Sequence, residues 1–304
     1  MMNTLLVLLG PTGVGKTEWS IRLAKNLNTA VVSADSRQIY RGMRIATAAP
    51  TPQQMQQITH YFVGELAPES YYSASAYEQE VLSLVKVLFA QHPVVILSGG
   101  SMMYIDAVCK GMDELPTVDE ALRQELRGLY KREGLDPIRQ QLKLLDPVFY
   151  DQVDLKNPQR VIHALEICLM AGKPYSVLRT KPDKTRSFRI VKVGFTRDRD
   201  ELYDRINSRV DEMMQEGLLD EARGFYPMRH LNALNTVGYK EMFRYFDGDW
   251  SLEQAVEKMK QHTRNYARKQ LTWFNRDKEI HWVNLTEKET DVMALVSQLL
   301  VEKQ

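Results

Sequence analysis

Short apolar runs alternate with stretches of helical spacing through the first 110 residues. Runs at 5–9, 30–33 and 94–97 have the length of buried strands, and each ends in Gly, Asp or Ser-Gly residues. Between them the apolar residues return every three or four positions, which predicts helices near 16–27 and 75–91. Strand, helix, strand in this rhythm is the pattern of βαβ units, so an α/β fold with a parallel sheet flanked by helices is expected. From about 115 to 184 the period-two runs vanish. Helical spacing predicts segments at 118–133, 135–145 and 158–171, and a shorter one after Pro174; Leu122, Leu126 and Leu129 form a packing stripe. Turn residues flank this stretch at Leu115-Pro116-Thr117 and at Lys181-Pro182-Asp183-Lys184. The expectation is an all-helical insertion, 116–184, within a core made of 1–115 and 185–304. Residues 189–196 read as a strand returning to the sheet, followed by helices near 199–215, 238–246 and 252–275.

Composition narrows the class without naming a function. At 304 residues, with 44% hydrophobic and 26% charged positions, the chain has the make-up of a soluble globular protein. Two cysteines, Cys109 and Cys168, supply no disulfide framework, which suits the cytoplasm. The apolar run at 5–9 is too short for a signal-peptide core or a membrane span, so no membrane role is expected. A net charge of +1 neither demands nor excludes nucleic acid, because placement decides.

The chemistry begins at Gly10-Pro11-Thr12-Gly13-Val14-Gly15-Lys16-Thr17, which fits G-x-x-x-x-G-K-[ST] between a strand and a helix. Glycines let successive N–H groups turn inward around phosphate oxygens, and the following helix N-terminus adds partial positive charge. Lys16 would neutralise the outer phosphate and the Thr17 hydroxyl would ligate Mg²⁺. Asp35 follows the second strand, where a carboxylate could hold Mg²⁺ through water, accept a proton, or simply cap the helical turn begun by Ser36 and Arg37. The turn Ser98-Gly99-Gly100-Ser101 follows the third strand, and in parallel sheets such turns line the ligand crevice. Lys260, Arg264 and Arg268 lie four residues apart on one helix, with Tyr266, Trp273 and Phe274 interleaved. Either a nucleic-acid surface or a solvated face fits that pattern. The six histidines are scattered without zinc-site spacing.

Taken together the motifs resemble the tRNA dimethylallyltransferases (tRNA isopentenyltransferases), and the resemblance runs from Leu5 to about Trp282. After the phosphate loop come Ser33-Ala34-Asp35-Ser36-Arg37-Gln38-Ile39-Tyr40-Arg41-Gly42-Met43, then Ser98 to Tyr104, then Pro158 to Glu166. Asn235-Thr236-Val237-Gly238-Tyr239-Lys240 and Thr263 to Trp273 complete the series. The resemblance implies a P-loop-like sheet and transfer of a dimethylallyl group from dimethylallyl diphosphate to the exocyclic amine of an adenosine beside the tRNA anticodon. It implies catalytic roles for Asp35, Lys16, Thr17 and Ser101, with the whole loop Gly10 to Thr17 gripping the diphosphate and Mg²⁺ on Thr17. Contacts to the tRNA anticodon stem-loop are implied for Asp35, Ser36, Arg37, Gln38, Ser101 and Arg123. They extend to Gln159, Arg160, Val161, Ile162 and His163 and to Asn235, Thr236, Val237, Gly238, Tyr239 and Lys240; Arg264 and Arg268 join them from the basic helix. The chain is expected to act as a monomer.

Departures stand at Ala49, where the family commonly has Lys, at Ser101 for Thr, at Met102 for Gly and at His163 for Arg. The competing enzyme reading is an ATP-dependent small-molecule or nucleotide kinase, which shares the loop and needs an arginine-rich lid. Arg123, Arg127, Arg132 and Arg139 in the insertion could serve such a lid. A nucleotide-dependent RNA-binding switch is disfavoured by the lack of an Asn-Lys-x-Asp guanine-reading motif.

Overall fold

The computed structural model describes residues 2–113, 115–116, 119–180, 184–287 and 291–301. Six parallel strands form one sheet in the order β3-β2-β4-β1-β5-β6. They are β1 (Thr4–Leu9), β2 (Val31–Ala34), β3 (His60–Tyr61), β4 (Val94–Gly99), β5 (Arg189–Thr196) and β6 (Ile280–Asn284). The helices of the chain, in order, are α1 (Lys16–Asn26), α2 (Pro52–Gln57), α3 (Ala74–Leu88), α4 (Met102–Lys110), α5 (Glu120–Glu133), α6 (Asp136–Leu145) and α7 (Pro147–Tyr150). Then follow α8 (Pro158–Ala171), α9 (Tyr175–Leu178), α10 (Arg199–Gln215), α11 (Leu218–Phe225), α12 (Tyr239–Phe246), α13 (Leu252–Phe274) and α14 (Val292–Val301).

The continuous apolar run of β1 is explained by its place. It lies at the centre of the sheet with every residue buried. Successive side chains point to opposite faces, so Leu5, Val7 and Leu9 join one core and Leu6 and Leu8 the other. Register then places the chemistry. Leu9 lies opposite Gly99 on β4, and Ala34 of β2 lies opposite the same glycine. The segments leaving β1, β2 and β4 therefore emerge side by side at the carboxyl edge of the sheet. Gly99 is required there, since a Cβ would lie 2.1 Å from the Ala34 carbonyl oxygen.

The strand expected at 30–33 runs instead over Val31–Ala34, and two strands carried too little pattern to be foreseen. β3 is two residues long, and β6 mixes buried with exposed positions at the sheet edge. Helix α5 is described from Glu120; Val118, Thr117 and 181–183 lie outside the described residues.

By contacts the chain divides into one unit of Met1–Cys109 with Arg186–Gln304 and a second of Lys110–Thr185. The second unit has its own core, where Leu126, Ile138, Leu142, Phe149, Val161 and Leu165 are buried and Leu122 and Leu129 pack against them. Fully buried Asp146 ties it together: its carboxylate accepts from Phe149 N at 2.9 Å, Ser176 N at 2.6 Å and Ser176 Oγ at 2.7 Å.

Candidate functional site

Gly10, Gly13 and Gly15 all have positive φ, and two are also held by close neighbours. A Cβ on Gly10 would lie 2.5 Å from Phe195 O, and one on Gly13 2.8 Å from Ile206 Cγ1. The loop ends with left-handed Gly15 as the N-cap of α1, where no side chain caps the first turn. The N–H groups of that turn are thus left to whatever binds at the helix end. From α10 and its approach, Arg205 Nε donates to Gly13 O at 3.1 Å and Arg197 Nε to Val14 O at 3.0 Å. These bonds hold two of the loop's carbonyls with arginine donors.

Lys16 Nζ donates to Gly10 O at 2.9 Å and Pro11 O at 2.8 Å, curling over the loop. Burial brings its pKa down from 10.5 to about 7; Arg209 adds to the effect and Asp35 opposes it. Arg209 is itself pushed below its ordinary value by burial. Its Nη2 donates to Ala48 O at 3.5 Å. Lys16 and Arg209 thus lie close enough to act on one another, with Asp35 acting on both and Glu212 on Arg209.

Asp35 Oδ1 accepts from Arg37 N at 2.8 Å and Gln38 N at 3.2 Å. That is the capping role, and it leaves Oδ2 without a hydrogen-bond partner among the described residues. The capping reading of Asp35 is met by Oδ1 alone. Ser101 Oγ accepts from Ser36 N at 2.8 Å and lies 3.2 Å from Ser36 Oγ, so the Ser98 to Ser101 turn is buttoned to the segment that carries Asp35. Tyr266 of α13 lines the same space, and burial, ahead of the Asp35 carboxylate, pushes its phenol up to about 12.

These groups surround a cavity of about 1110 Å³. Of the residues expected at the site, Thr12, Gly13, Gly15, Lys16 and Thr17 line it from the loop, and Asp35, Ser36, Arg37, Gln38 and Ser101 from the neighbouring strand ends. Asn235, Thr236, Val237 and Lys240 close another wall. Gly10, Pro11 and Val14 stand behind the loop, and the Val14 side chain belongs to the core.

Other expectations need correcting. Tyr239 is fully buried, with its hydroxyl on Glu221 Oε1 at 2.7 Å, so its side chain packs instead of meeting RNA. Val161 and Ile162 are buried in the core of the helical unit, while Gln159 and Arg160 are exposed on it. Arg123 there pairs with buried Glu166 at 3.1 Å, and His163 Nδ1 approaches the same carboxylate at 3.4 Å. Lys260, Arg264 and Arg268 of α13 are not an open row: Lys260 is paired with Asp211 at 2.8 Å, Arg264 with Asn207, and of these three only Arg268 is exposed, bonded to Asn265. Gly238 has φ of 101° and abuts Ala46 without lining the cavity.

Gln270 lies within the Thr263 to Trp273 motif, and its spacing predicts no role for it. Buried at 2% exposure, it accepts from Thr12 N at 2.9 Å and donates to Gly100 O at 2.8 Å, bridging the phosphate loop to the glycine turn. Arg209, which no motif contains, lines the cavity too, as does Tyr266, one of the aromatics interleaved with the basic helix. A helix-period reading shows that such residues share a face; it does not show which loop they reach.

A glycine loop at the edge of a parallel sheet, with cations and one part-free carboxylate over it, defines a P-loop-type α/β protein that binds a phosphorylated ligand. Comparison with known proteins sharpens that class. Residues 38–277 match the model of the IPP transferase family. The chain is 59% identical over 296 residues to tRNA dimethylallyltransferase 1 of Phocaeicola vulgatus, covering 97% of this chain and 98% of that protein. It is 57% identical to tRNA dimethylallyltransferase 2 of Parabacteroides distasonis, covering 98% and 100%. Its fold matches the crystal structure of the tRNA isopentenylpyrophosphate transferase of Bacillus halodurans with a TM-score of 0.69 and 35% identity, over 98% and 94% of the two chains. The chain belongs to the IPP transferase family, and it is a prenyl-transferring enzyme; the kinase reading is set aside.

Proposed function

We propose that this protein transfers a dimethylallyl group from dimethylallyl diphosphate to the exocyclic amine of the adenosine 3′ to a tRNA anticodon, releasing pyrophosphate. The observation that carries the reading is the shared cavity, which is lined by Lys16, the phosphate loop and Arg209 and also by Asp35. The first group suits a leaving pyrophosphate and the second a nucleophilic amine. The amine's lone pair is delocalised into the ring, so a carboxylate that orients it and takes its proton is needed. Asp35 Oδ2 has the free acceptor for this while Oδ1 keeps the backbone turn in place. As the allylic C–O bond breaks and the C–N bond forms, charge gathers on the diphosphate oxygens, where Lys16 and the α1 amides already stand.

The described residues bring no three His, Cys, Asp or Glu together as metal ligands. The Thr17 hydroxyl beside the loop is the family's kind of Mg²⁺ ligand, and it fits an ion whose other ligands are substrate oxygens and water. When bound, Mg²⁺ would neutralise the leaving diphosphate. For the adenosine to reach the cavity it must leave its stack in the anticodon loop. Gln38, Asn235 and Lys240 at the cavity wall and Arg160 and Gln159 on the helical unit are the residues assigned to the RNA. No described helix is long and apolar enough to cross a membrane. Action as a cytoplasmic monomer completes the reading.

The test is incubation with Mg²⁺, radiolabelled dimethylallyl diphosphate and an unmodified tRNA that carries adenosines after its anticodon. Label is expected in the RNA; ATP consumption with unlabelled RNA would overturn the reading.

A further inference from the structure

Outside the cavity, one carboxylate gathers an unusual number of donors. Glu221 of α11 accepts from Arg44 N at 3.1 Å and Ile45 N at 2.8 Å on Oε2, and from Ala46 N at 3.0 Å and Tyr239 OH at 2.7 Å on Oε1. Four donors fill the roughly four lone-pair sites of a carboxylate. Three successive amides of one turn are thereby fixed from a different element of the fold.

The turn so gripped is strained. Ala48 sits at φ 50°, a left-handed conformation that non-glycine residues seldom adopt and that persists only where surroundings over-determine it. Ala48 N donates to Ile45 O and Ala49 N to Arg44 O, each at 2.9 Å, so the strained residue hangs directly on the gripped amides. What the strain achieves is the direction of two carbonyls. Thr47 O and Ala48 O receive Gln38 Nε2 at 3.0 and 3.2 Å, and Ala48 O also receives Arg209 Nη2 at 3.5 Å. Gln38, Thr47, Ala48 and Arg209 all line the cavity, whereas Glu221 and Tyr239 do not.

We infer that Glu221 is a positioning residue for the transfer reaction: through the 44–48 turn it aims Arg209 at the diphosphate and Gln38 at the acceptor. This rests on the proposed reading of the cavity. Glu221 touches no substrate, and Tyr239 completes it by holding Oε1. Burial, with the Glu221 carboxylate next, pushes the Tyr239 phenol upward and keeps it a donor. Glutamine at 221 would turn an N–H₂ toward backbone N–H groups and so break the grip on one side. Aspartate would keep the charge and shorten the reach by one methylene.

Glu221→Gln, Glu221→Asp and Tyr239→Phe are measured in the full chain for pyrophosphate affinity by calorimetry and for kcat and KM in the tRNA assay. Val85→Ala, a core substitution on α3 away from the cavity, controls for stability. Affinity is a property of each folded molecule, so lost stability alone leaves it unchanged. Glu221→Gln is expected to weaken pyrophosphate binding about tenfold and to lower kcat by roughly ten- to a hundredfold, the range expected when a distant change misplaces a site. Glu221→Asp and Tyr239→Phe should show the same direction with smaller size, and Val85→Ala wild-type affinity. Any Glu221 variant that folds and binds pyrophosphate as the wild type does, with unchanged kcat, overturns the inference. So does an equal loss of affinity in Val85→Ala. Wild-type protein that binds no pyrophosphate would instead sink the reading of the cavity beneath it.

Discussion

Raising the pH from 7 to 9 should weaken diphosphate binding through one residue, Lys16. Burial and Arg209 hold its pKa at about 7, against the pull of Asp35. A phosphate seated in the loop places negative charge against Nζ and restores the proton, so binding takes up a proton wherever free Lys16 is neutral. At pH 8, one unit above, about 0.9 proton enters per ligand bound. At pH 9 the affinity should stand roughly a hundredfold below its acidic plateau, about 2.7 kcal/mol at 1.36 kcal/mol per unit. With dimethylallyl diphosphate as the ligand, the last ionisation of its terminal phosphate, about 6 like a phosphate monoester's, is largely complete above pH 7 and does not mask the effect. Calorimetry in two buffers of different ionisation enthalpy reads the proton count directly, and the slope of log affinity should approach −1 above pH 8. Lys16→Met should bind weakly with no slope. Flat affinity from pH 7 to 9 in the wild type would refute the argument, because it would mean the ammonium is not destabilised in the free site. Stability of the free protein moves the other way. The unfolded chain keeps the Lys16 proton up to about 10.4 and the folded chain loses it near 7, so unfolding binds a proton between those values. The cost of the buried ammonium is complete below pH 7, and stability rises as pH climbs through the window.

Asp35→Asn keeps an oxygen to cap Arg37 and Gln38 while removing the proton acceptor, so kcat should fall about 10²- to 10⁴-fold with pyrophosphate affinity retained; parallel loss of both in steady-state and binding assays would assign Asp35 to folding. Gln270→Leu strands Thr12 N and Gly100 O, which should lower stability by roughly 2 to 6 kcal/mol and loosen diphosphate binding, measured by denaturant titration and calorimetry. Arg268→Ala should reduce the salt slope of tRNA affinity by about 1, whereas Lys260→Ala, whose cation is already paired with Asp211, should leave the slope unchanged.

The family signature was legible because its central parts are local. A glycine loop between a strand and a helix needs only residues 5 to 20 to declare itself, and the βαβ rhythm needs only spacing. The sheet edges were lost for the opposite reason: two-residue β3 and mixed β6 owe their state to the strands beside them. Among site residues, Asp35 could be nominated from its place after a strand. Yet the sequence did not show that one of its oxygens caps a turn and leaves the other without a bond among the described residues. The basic helix left two readings open, and its spacing could not show what the face packs against. A four-residue spacing places Lys260, Arg264 and Arg268 on one face, and that face turned out to meet Asp211 and Asn207 of α10.

By itself, then, the sequence determined a glycine loop at residues 10–17 between a strand and a helix and a parallel sheet around that loop, since backbone geometry and apolar period act over a few neighbouring residues. Tertiary structure alone decided what surrounds the loop. Gln270 reaches Thr12 across 258 positions, Glu221 grips a turn 175 to 177 positions earlier, and burial with Arg209 lowers the Lys16 pKa against the pull of Asp35. Hydrogen bonds and fields depend on distance in space, and between remote segments only the folded sheet sets that distance.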